Sequence, residues 1–188
     1  MNKRLFLVAA SIAVLSAACT TTSNQGTADP AAKRRSIDAA VDNALTKLHT
    51  QVAGSKELTS KAKGVLVFPS VVSAGFVVGG SYGQGALRTG AKTEGYYSTT
   101  AASVGLLAGA DSKALYVLFM TQDALDKFLA SKGWTAGADA SVTVVKVGAS
   151  AGVDTQTAQQ PVVGYVLSNA GLMANVSVDG TKVNKLDL

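Results

Sequence analysis

The spacing of apolar residues predicts a helix near the start of the folded part of the chain. One apolar stripe at helical spacing consists of Ile37, Ala40, Val41, Ala44, Leu45, Leu48 and Val52. It predicts an amphipathic helix that begins at Ser36 and stops at Gly54, followed by a shorter helical piece that ends at Gly64. Such a stripe is more typical of packing on a core than of lying in a lipid interface.

From Val65 onward the apolar period changes to two, which predicts strands. The first run, VLVF, is expected to stop at Pro69. The later runs are GFVVGGSYGQGAL, TEGYYSTTAASVGLLAG, KALYVLFM, ASVTVVKVGAS, PVVGYVLSN, GLMANVSV and TKVNKLDL. KALYVLFM is apolar on both faces, so we expect a central strand that is covered on both sides. Asp179-Gly180 separates the last two runs and predicts a hairpin between them.

One further helix is predicted within the strand region, over TQDALDKFLASKG. Thr121 is its expected N-cap and Gly133 its stop. The order of helix, strands, helix and strands predicts an α+β domain with an N-terminal amphipathic helix and one inserted helix. Its sheet is expected to be mainly antiparallel and strongly curved, or closed into a small barrel.

A glycine-rich run, AGFVVGGSYGQGALRTG, spans residues 74–90 and holds six of the 19 glycines. A dinucleotide-binding loop has the order G-x-G-x-x-G before a helix, whereas Gly80, Gly83 and Gly85 give the reverse order with no helical pattern after them. With period two, one face of the run lacks side-chain bulk, which lets another element approach its backbone. The glycines therefore favour sheet architecture over a nucleotide site.

The N-terminus has the pattern of a lipoprotein signal peptide over residues 1–18. MNKR is positively charged, LFLVAASIAVLSAA is apolar, and LSAAC ends in Cys19, which is the only cysteine. This apolar region of 14 residues is short for a membrane span. We expect lipidation at Cys19; the alternative is an ordinary secretory signal that leaves a free thiol. By resemblance to enterobacterial sorting signals, Thr20 in place of aspartate favours the inner leaflet of the outer membrane, with the protein facing the periplasm.

Residues 19–35 are predicted to form a lipidated flexible tether, and residues 36–188 a single domain. The tether closes with KRR at 33–35, which is either a solvated linker end or a basic cluster beside the membrane. The formal charge of +5 comes from 17 basic and 12 acidic residues. Removing Lys3 and Arg4 leaves 15 basic residues and a charge of +3. This mild charge suits anionic lipid and falls short of a nucleic-acid footprint.

No catalytic or metal-binding constellation can be assembled from the sequence. His49 is the only histidine, and we expect it to be an exposed bystander on the first helix. No histidine pair, cysteine pair or aspartate-rich loop is present. The two G-x-S-x-G strings, at 79–83 and 148–152, lie in or at the end of runs predicted as strands and not at a strand-to-helix elbow. We therefore expect no enzyme, no cofactor, no metal site and no nucleotide site.

Three ordered blocks resemble the SYLF domain family, and in particular its bacterial lipoproteins. They are AKGVLVFPSVVSAGFVVGGSYGQGAL, GYYSTTAASVGLLAGADSKALYVLFMTQDALDKFL and WTAGADASVTVV, and the resemblance spans residues 36–188. It implies a lipid-binding module. In eukaryotic relatives lipid binding is associated with an amphipathic N-terminal segment and nearby basic residues, which correspond here to Lys47, Lys56, Lys61 and Lys63. Anionic bacterial phospholipid is the expected substitute for phosphoinositides, and actin is not expected as a partner.

Arg88 and Lys92 follow the glycine run, and they complete the set of candidate headgroup-binding residues. If the glycine strand pairs beside the first strand, these two residues and Lys56, Lys61 and Lys63 could form one basic rim; the alternative is scattered solubilising charge. Four aromatic residues are candidates for either a membrane interface or the core, and these are Tyr82, Tyr96, Tyr97 and Trp134.

The sequence thus predicts a lipid-anchored SYLF protein that contacts phospholipid headgroups without catalysis. The alternative is an envelope structural or protein-interaction lipoprotein without lipid specificity.

Overall fold

The computed structural model describes residues 29–75, 78–104, 109–145, 159–169, 171–173 and 176–188. The predicted signal peptide, Cys19 and most of the tether lie outside these residues, as does much of the run ASVTVVKVGAS. The helices are α1 (Pro30–Gln51), α2 (Ser55–Lys61) and α3 (Gln122–Ala130). The strands are β1 (Gly64–Gly75), β2 (Val78–Thr89), β3 (Lys92–Val104), β4 (Gly109–Phe119), β5 (Trp134–Thr135), β6 (Thr143–Val144), β7 (Val162–Ser168), β8 (Gly171–Leu172) and β9 (Lys182–Leu186).

These strands form one strongly curled sheet, a half-barrel. Its order is β5-β9-β3-β2-β1-β4-β7-β6, and β8 pairs with β7. The pairings are antiparallel except for β6 with β7, which is parallel. The predicted α+β class with a mainly antiparallel, curved sheet is therefore confirmed, and the glycine strand β2 does pair beside β1.

The sheet separates two apolar clusters. On its concave face, Leu66, Phe68 and Phe119 pack with Phe128 of α3 and with Trp134. On the opposite face, α1 inserts Ile37, Val41, Ala44 and Leu48 against residues that include Val67, Ala86 and Tyr116. β4 lies between β1 and β7, and its residues from Ala114 to Phe119 are buried. The prediction that KALYVLFM forms a central strand covered on both faces is confirmed.

The helix α1 begins at Pro30, six residues before the predicted start at Ser36. Asp29 is its N-cap, with a side-chain oxygen that accepts a hydrogen bond from the Ala31 amide at 3.0 Å. Proline suits the first helical position, where its missing N–H costs nothing. The KRR cluster at 33–35 is therefore part of the helix, and the prediction of a linker end there is wrong.

β1 does not stop at Pro69, contrary to the prediction, but continues to Gly75 through a β-bulge. Val67 pairs with Ala86 of β2, whereas Ser70 pairs with Gln84, so that two residues of β1 oppose Gly85 alone. The same shift occurs against β4, between Phe68 and Val71. A bulge accommodates proline because the extra residue makes no ladder hydrogen bond.

Gly85 lies where this bulge presses on β2. A Cβ atom at Gly85 would lie 1.9 Å from the carbonyl oxygen of Val67. At Gly83 a Cβ atom would lie 2.9 Å from the carbonyl oxygen of Ser70. Gly83 and Gly85 thus allow the backbone of β1 to approach β2 closely. The prediction that this face of the run lets another element approach is confirmed, and that element is β1.

The predicted hairpin between GLMANVSV and TKVNKLDL is wrong. Gly180 has the positive φ of 78° that the turn requires. However, β9 after the turn pairs with β3 and β5, and β8 before it pairs with β7. The turn therefore connects two different parts of the sheet instead of two paired strands.

Candidate functional site

A groove of about 330 Å³ lies between α1 and the sheet. Its lining includes the polar residues Asn43 and Lys47 from α1, Ser112, Lys113 and Tyr116 from β4, and Asn169 after β7. Asn43 and Lys47 are one turn apart, so their side chains emerge on the same side of the helix. We call this feature the Lys47 groove.

The charge of the Lys47 groove is positive. Its lining includes Lys47 and Lys113 and, among the described residues, no carboxylate. The described residues also give neither lysine an ion-pair partner within 4.0 Å. Side chains alternate along a strand, so Lys113 lies on the same face of β4 as Asp111 and Leu115. That face is the concave one. Lys47 is therefore the cation that the groove presents to an anionic ligand, with amide groups of Asn43 and Asn169 as hydrogen-bond donors.

Arg88 is already engaged by acidic residues of α1. Its Nη2 lies 3.3 Å from Oδ1 of Asp38 and 2.8 Å from Oδ1 of Asp42, and its Nη1 donates to the Thr93 hydroxyl at 2.5 Å. Its side chain is 13% exposed. Arg88 therefore fastens α1 to the sheet, and its fork has little surface left for an external phosphate.

Asp38 is the centre of this fastening network. Besides Arg88, it accepts hydrogen bonds from the Thr93 hydroxyl at 2.9 Å and from the Tyr96 hydroxyl at 2.8 Å. Burial, and then Asp38 itself, raises the pKa of Tyr96. A further hydroxyl, that of the buried Tyr116, donates to the carbonyl oxygen of Ala44 at 2.8 Å. These contacts fix how α1 lies over the sheet, and so they fix the width of the Lys47 groove.

Four other candidate lysines lie around one end of the sheet, where β1 starts, β2 ends and β3 starts. We call Lys56, Lys61, Lys63 and Lys92 the basic end. Lys61 pairs with Glu57 at 2.5 Å and Lys92 with Glu94 at 3.4 Å, and all these side chains except that of Glu94 are mostly exposed. The topology thus brings the four lysines to one end, but two of them already have acidic neighbours.

His49 lies at the C-terminal end of α1 and is half-buried. Its Nε2 is 2.9 Å from the hydroxyl oxygen of Thr59 in α2. Burial, and then the charge of Lys56, lowers its pKa. This contact joins α1 to α2. Among the described residues, no group of three or more His, Cys, Asp or Glu side chains could hold a metal ion.

The four candidate aromatic residues have different positions. Trp134 is 3% exposed and packs against Phe119 and Phe128, so it belongs to the core. Tyr97 is also buried, and Tyr96 is held by Asp38. Tyr82 is 50% exposed and is the member of the four that is available to a partner.

The described helices and strands thus define an α+β half-barrel with an open, basic groove beside its N-terminal helix. Among the described residues, no helix is both long and apolar enough to cross a membrane.

The family model described as "Ysc84: Las17-binding protein actin regulator" matches residues 100–187, which is just under half of the chain. This is the model of the SYLF domain, so the predicted resemblance to the SYLF family is confirmed over those residues. They include all of β4, α3, β7 and β9. The family is associated with lipid binding and with protein interaction. No curated protein matches the chain.

Sequence reasoning placed Lys47 among the candidates but missed its surroundings. Asn169 and Ser112 are far from Lys47 in the chain and are brought to it by β7 and β4. The one available signal was the i, i+4 spacing of Asn43 and Lys47 on the polar side of the helix.

Proposed function

We propose that this chain is a lipid-anchored protein of the bacterial envelope that binds anionic phospholipid headgroups through its SYLF domain, without catalysis. Cys19 carries the acyl anchor, and the anchor holds the domain at the periplasmic face of the outer membrane. The match of residues 100–187 to the SYLF family supports the class of ligand.

The single observation that carries the proposal is the Lys47 groove. A phosphate group prefers a cation together with neutral hydrogen-bond donors, and the groove combines Lys47 with Asn43 and Asn169. Because the described lining has no carboxylate, an anion entering the groove meets no repulsion from its walls.

The basic end would add a weaker contact. Each lysine near an anionic surface contributes on the order of 1 kcal/mol, and salt screens this contribution within about a Debye length. Lys56 and Lys63 have no ion-pair partner among the described residues, unlike Lys61 and Lys92. They are therefore the members of the basic end that would contribute most.

Flotation with vesicles tests the proposal. Residues 29–188 begin at the N-cap of α1 and retain every described helix and strand, so this segment separates the domain from the anchor. We expect it to float with vesicles that contain phosphatidylglycerol or cardiolipin and not with neutral vesicles, and to float less at high salt.

Two variants locate the binding. We expect Lys47→Gln to weaken binding about fivefold, which corresponds to about 1 kcal/mol. The control is Lys132→Gln, which removes the same charge from an exposed lysine beyond α3. Equal losses in the two variants would show that binding follows net charge and does not use the groove. If residues 29–188 bind no vesicle, membrane association resides in the N-terminal region alone, and the alternative of a protein-interaction lipoprotein gains.

A further inference from the structure

A second feature adjoins the Lys47 groove, namely a part of the sheet that α1 does not cover. On the α1 side of the sheet, Ala86 of β2 is buried under the helix. Every second residue of β2 lies on this same side, and the helix no longer covers these residues further along the strand. Beyond the bulge at Pro69 these side chains and their neighbours on β1 and β3 are exposed. We call this surface the bare face; its residues are Val72, Ala74, Val78, Gly80, Tyr82 and Ala102.

The bare face is uncharged and apolar. Val72 is 49% exposed, Val78 69% and Tyr82 50%. In the described part of the chain only one other large apolar side chain is comparably exposed, Leu129 of α3. Isolated exposed apolar residues are ordinary, but a contiguous group of them marks an interaction surface.

The register shows that the group is contiguous. Val72 is directly opposite Tyr82, and Ala74 is directly opposite Gly80. Gly80 in turn is opposite Ala102 of β3. Small residues in the middle of this group leave no bulky side chain between the larger ones, so a lipid surface can approach the sheet closely.

Cations flank the bare face. Val72 is opposite Ser112 of β4, which lines the Lys47 groove. On the other side, Tyr82 is opposite Thr100 of β3, and Thr100 is opposite Lys182 of β9. Lys47 and Lys182 thus border an apolar surface that also carries a tyrosine. Apolar residues bordered by lysines match the layering of a bilayer surface, in which anionic headgroups overlie hydrocarbon.

We propose that the bare face docks on the phospholipid bilayer, with Val72, Val78 and Tyr82 entering the interfacial layer while Lys47 and Lys182 contact headgroups. The choice of lipid as the occupant rests on the proposed function. The proposal goes further by fixing the orientation: the sheet surface beside α1 faces the membrane, and α3 with the concave side faces away from it.

A site-specific probe on the full chain tests this orientation. With Cys19→Ser in the background, Val78→Cys and Val72→Cys each provide one position for an environment-sensitive fluorophore. Leu129→Cys is the matched control, because Leu129 is 47% exposed and lies on α3. The chain is reconstituted into phosphatidylglycerol-containing vesicles, and quenching by nitroxide-labelled lipid is compared with quenching by aqueous iodide.

We expect the labels at 72 and 78 to be quenched by the lipid nitroxide at least about threefold more than the label at 129, and to be less accessible to iodide. Similar quenching at all three positions would overturn the proposal. Protection of 72 and 78 from iodide without vesicles, rising with protein concentration, would also overturn it, because a second copy would then cover the bare face.

A second set of variants separates this proposal from the proposed function. We expect Val78→Asp to weaken vesicle binding of the otherwise unmodified chain about tenfold, since it places a charge in the interfacial layer, whereas Leu129→Asp leaves binding unchanged. If Lys47→Gln weakens binding while Val78→Asp has no effect, headgroup binding stands and the orientation is wrong. If label 78 contacts lipid equally in neutral and anionic vesicles, the orientation stands and the headgroup preference is wrong.

Discussion

The role assigned to Gly85 predicts a large and local effect of one methyl group. In Gly85→Ala the added Cβ would lie 1.9 Å from the carbonyl oxygen of Val67 and 2.8 Å from its carbonyl carbon. Real Cβ contacts essentially never fall below 3.0 Å, so β1 and β2 would have to separate by about 1.1 Å at this point. The obstacle is backbone, which cannot move aside as a flexible side chain does.

The magnitude follows from what that separation breaks. β1 pairs with β2 on one side and β4 on the other, so a shift of Val67 disturbs two ladders. Losing about two ladder hydrogen bonds costs about 2 kcal/mol, and overpacking a core position costs about 1–3 kcal/mol. We therefore expect Gly85→Ala to lower the free energy of unfolding by about 4 kcal/mol, against a typical total of about 5–15 kcal/mol.

Gly80→Ala is the matched control in the same strand. The nearest atom to an added Cβ there is the carbonyl oxygen of Ala101 at 3.9 Å, which is an ordinary contact. Since alanine also loses less conformational freedom on folding, this variant should be neutral or more stable by up to about 1 kcal/mol.

Urea unfolding of residues 29–188 measures both effects, followed by far-ultraviolet circular dichroism and by the fluorescence of Trp134. The reasoning is refuted if Gly85→Ala stays within about 1 kcal/mol of the parent with an unchanged slope against urea. Equal losses in the two variants would show that glycine is needed along the whole strand and that the bulge has no special demand.

Three further predictions concern the network around α1 and the core. Arg88→Met leaves the partly buried Asp38 without its cation, so we expect the free energy of unfolding, measured in urea, to fall by about 2 kcal/mol. The control is Lys61→Met, which breaks an exposed ion pair and should lower it by no more than about 0.5 kcal/mol. Because the pKa of His49 is lowered in the folded state, the unfolded state binds more protons just below the ordinary value of 6.5. Stability should therefore fall as pH drops through that window, and His49→Gln should reduce this fall in urea midpoints at pH 7.5 and 5.5. Trp134 is buried, so its emission maximum should not move when vesicles are added; a shift on binding would contradict its place in the core.

Local patterns in the sequence predicted the elements well where a local cause decides them. Thr121 accepts a hydrogen bond from the amide of Ala124 at 3.3 Å, as expected for the N-cap of α3. Pro69 misled the prediction because proline ends most strands, and only the paired strands β2 and β4 show that a bulge absorbs it.

Pairings between distant parts of the chain could not be predicted in this way. Asp179-Gly180 specifies a turn, but it does not specify that β9 pairs with β3. Arg88 looked available as a headgroup ligand because nothing near it in sequence shows that Asp38 and Asp42 face it across the α1–sheet contact. Lys47 was predicted as a candidate, but Asn169 of the same groove was not, because Asn169 lies near Lys47 only in the folded chain.

The bulge at Pro69 has a consequence for how the chain tolerates insertions and deletions. It adds one residue to β1, and a shift by one residue exchanges the two faces of a strand. Phe68 and Val71 lie in the same cluster although they are three residues apart, because the extra residue restores Val71 to that face and leaves Val72 on the other. Deleting Pro69 alone would therefore remove the bulge and keep both faces, since Ser70 would follow Phe68 and still pair with Gln84. Deleting a residue between Val71 and Gly75 would instead exchange the faces of the rest of the strand, so β1 tolerates the loss of a residue best at the bulge.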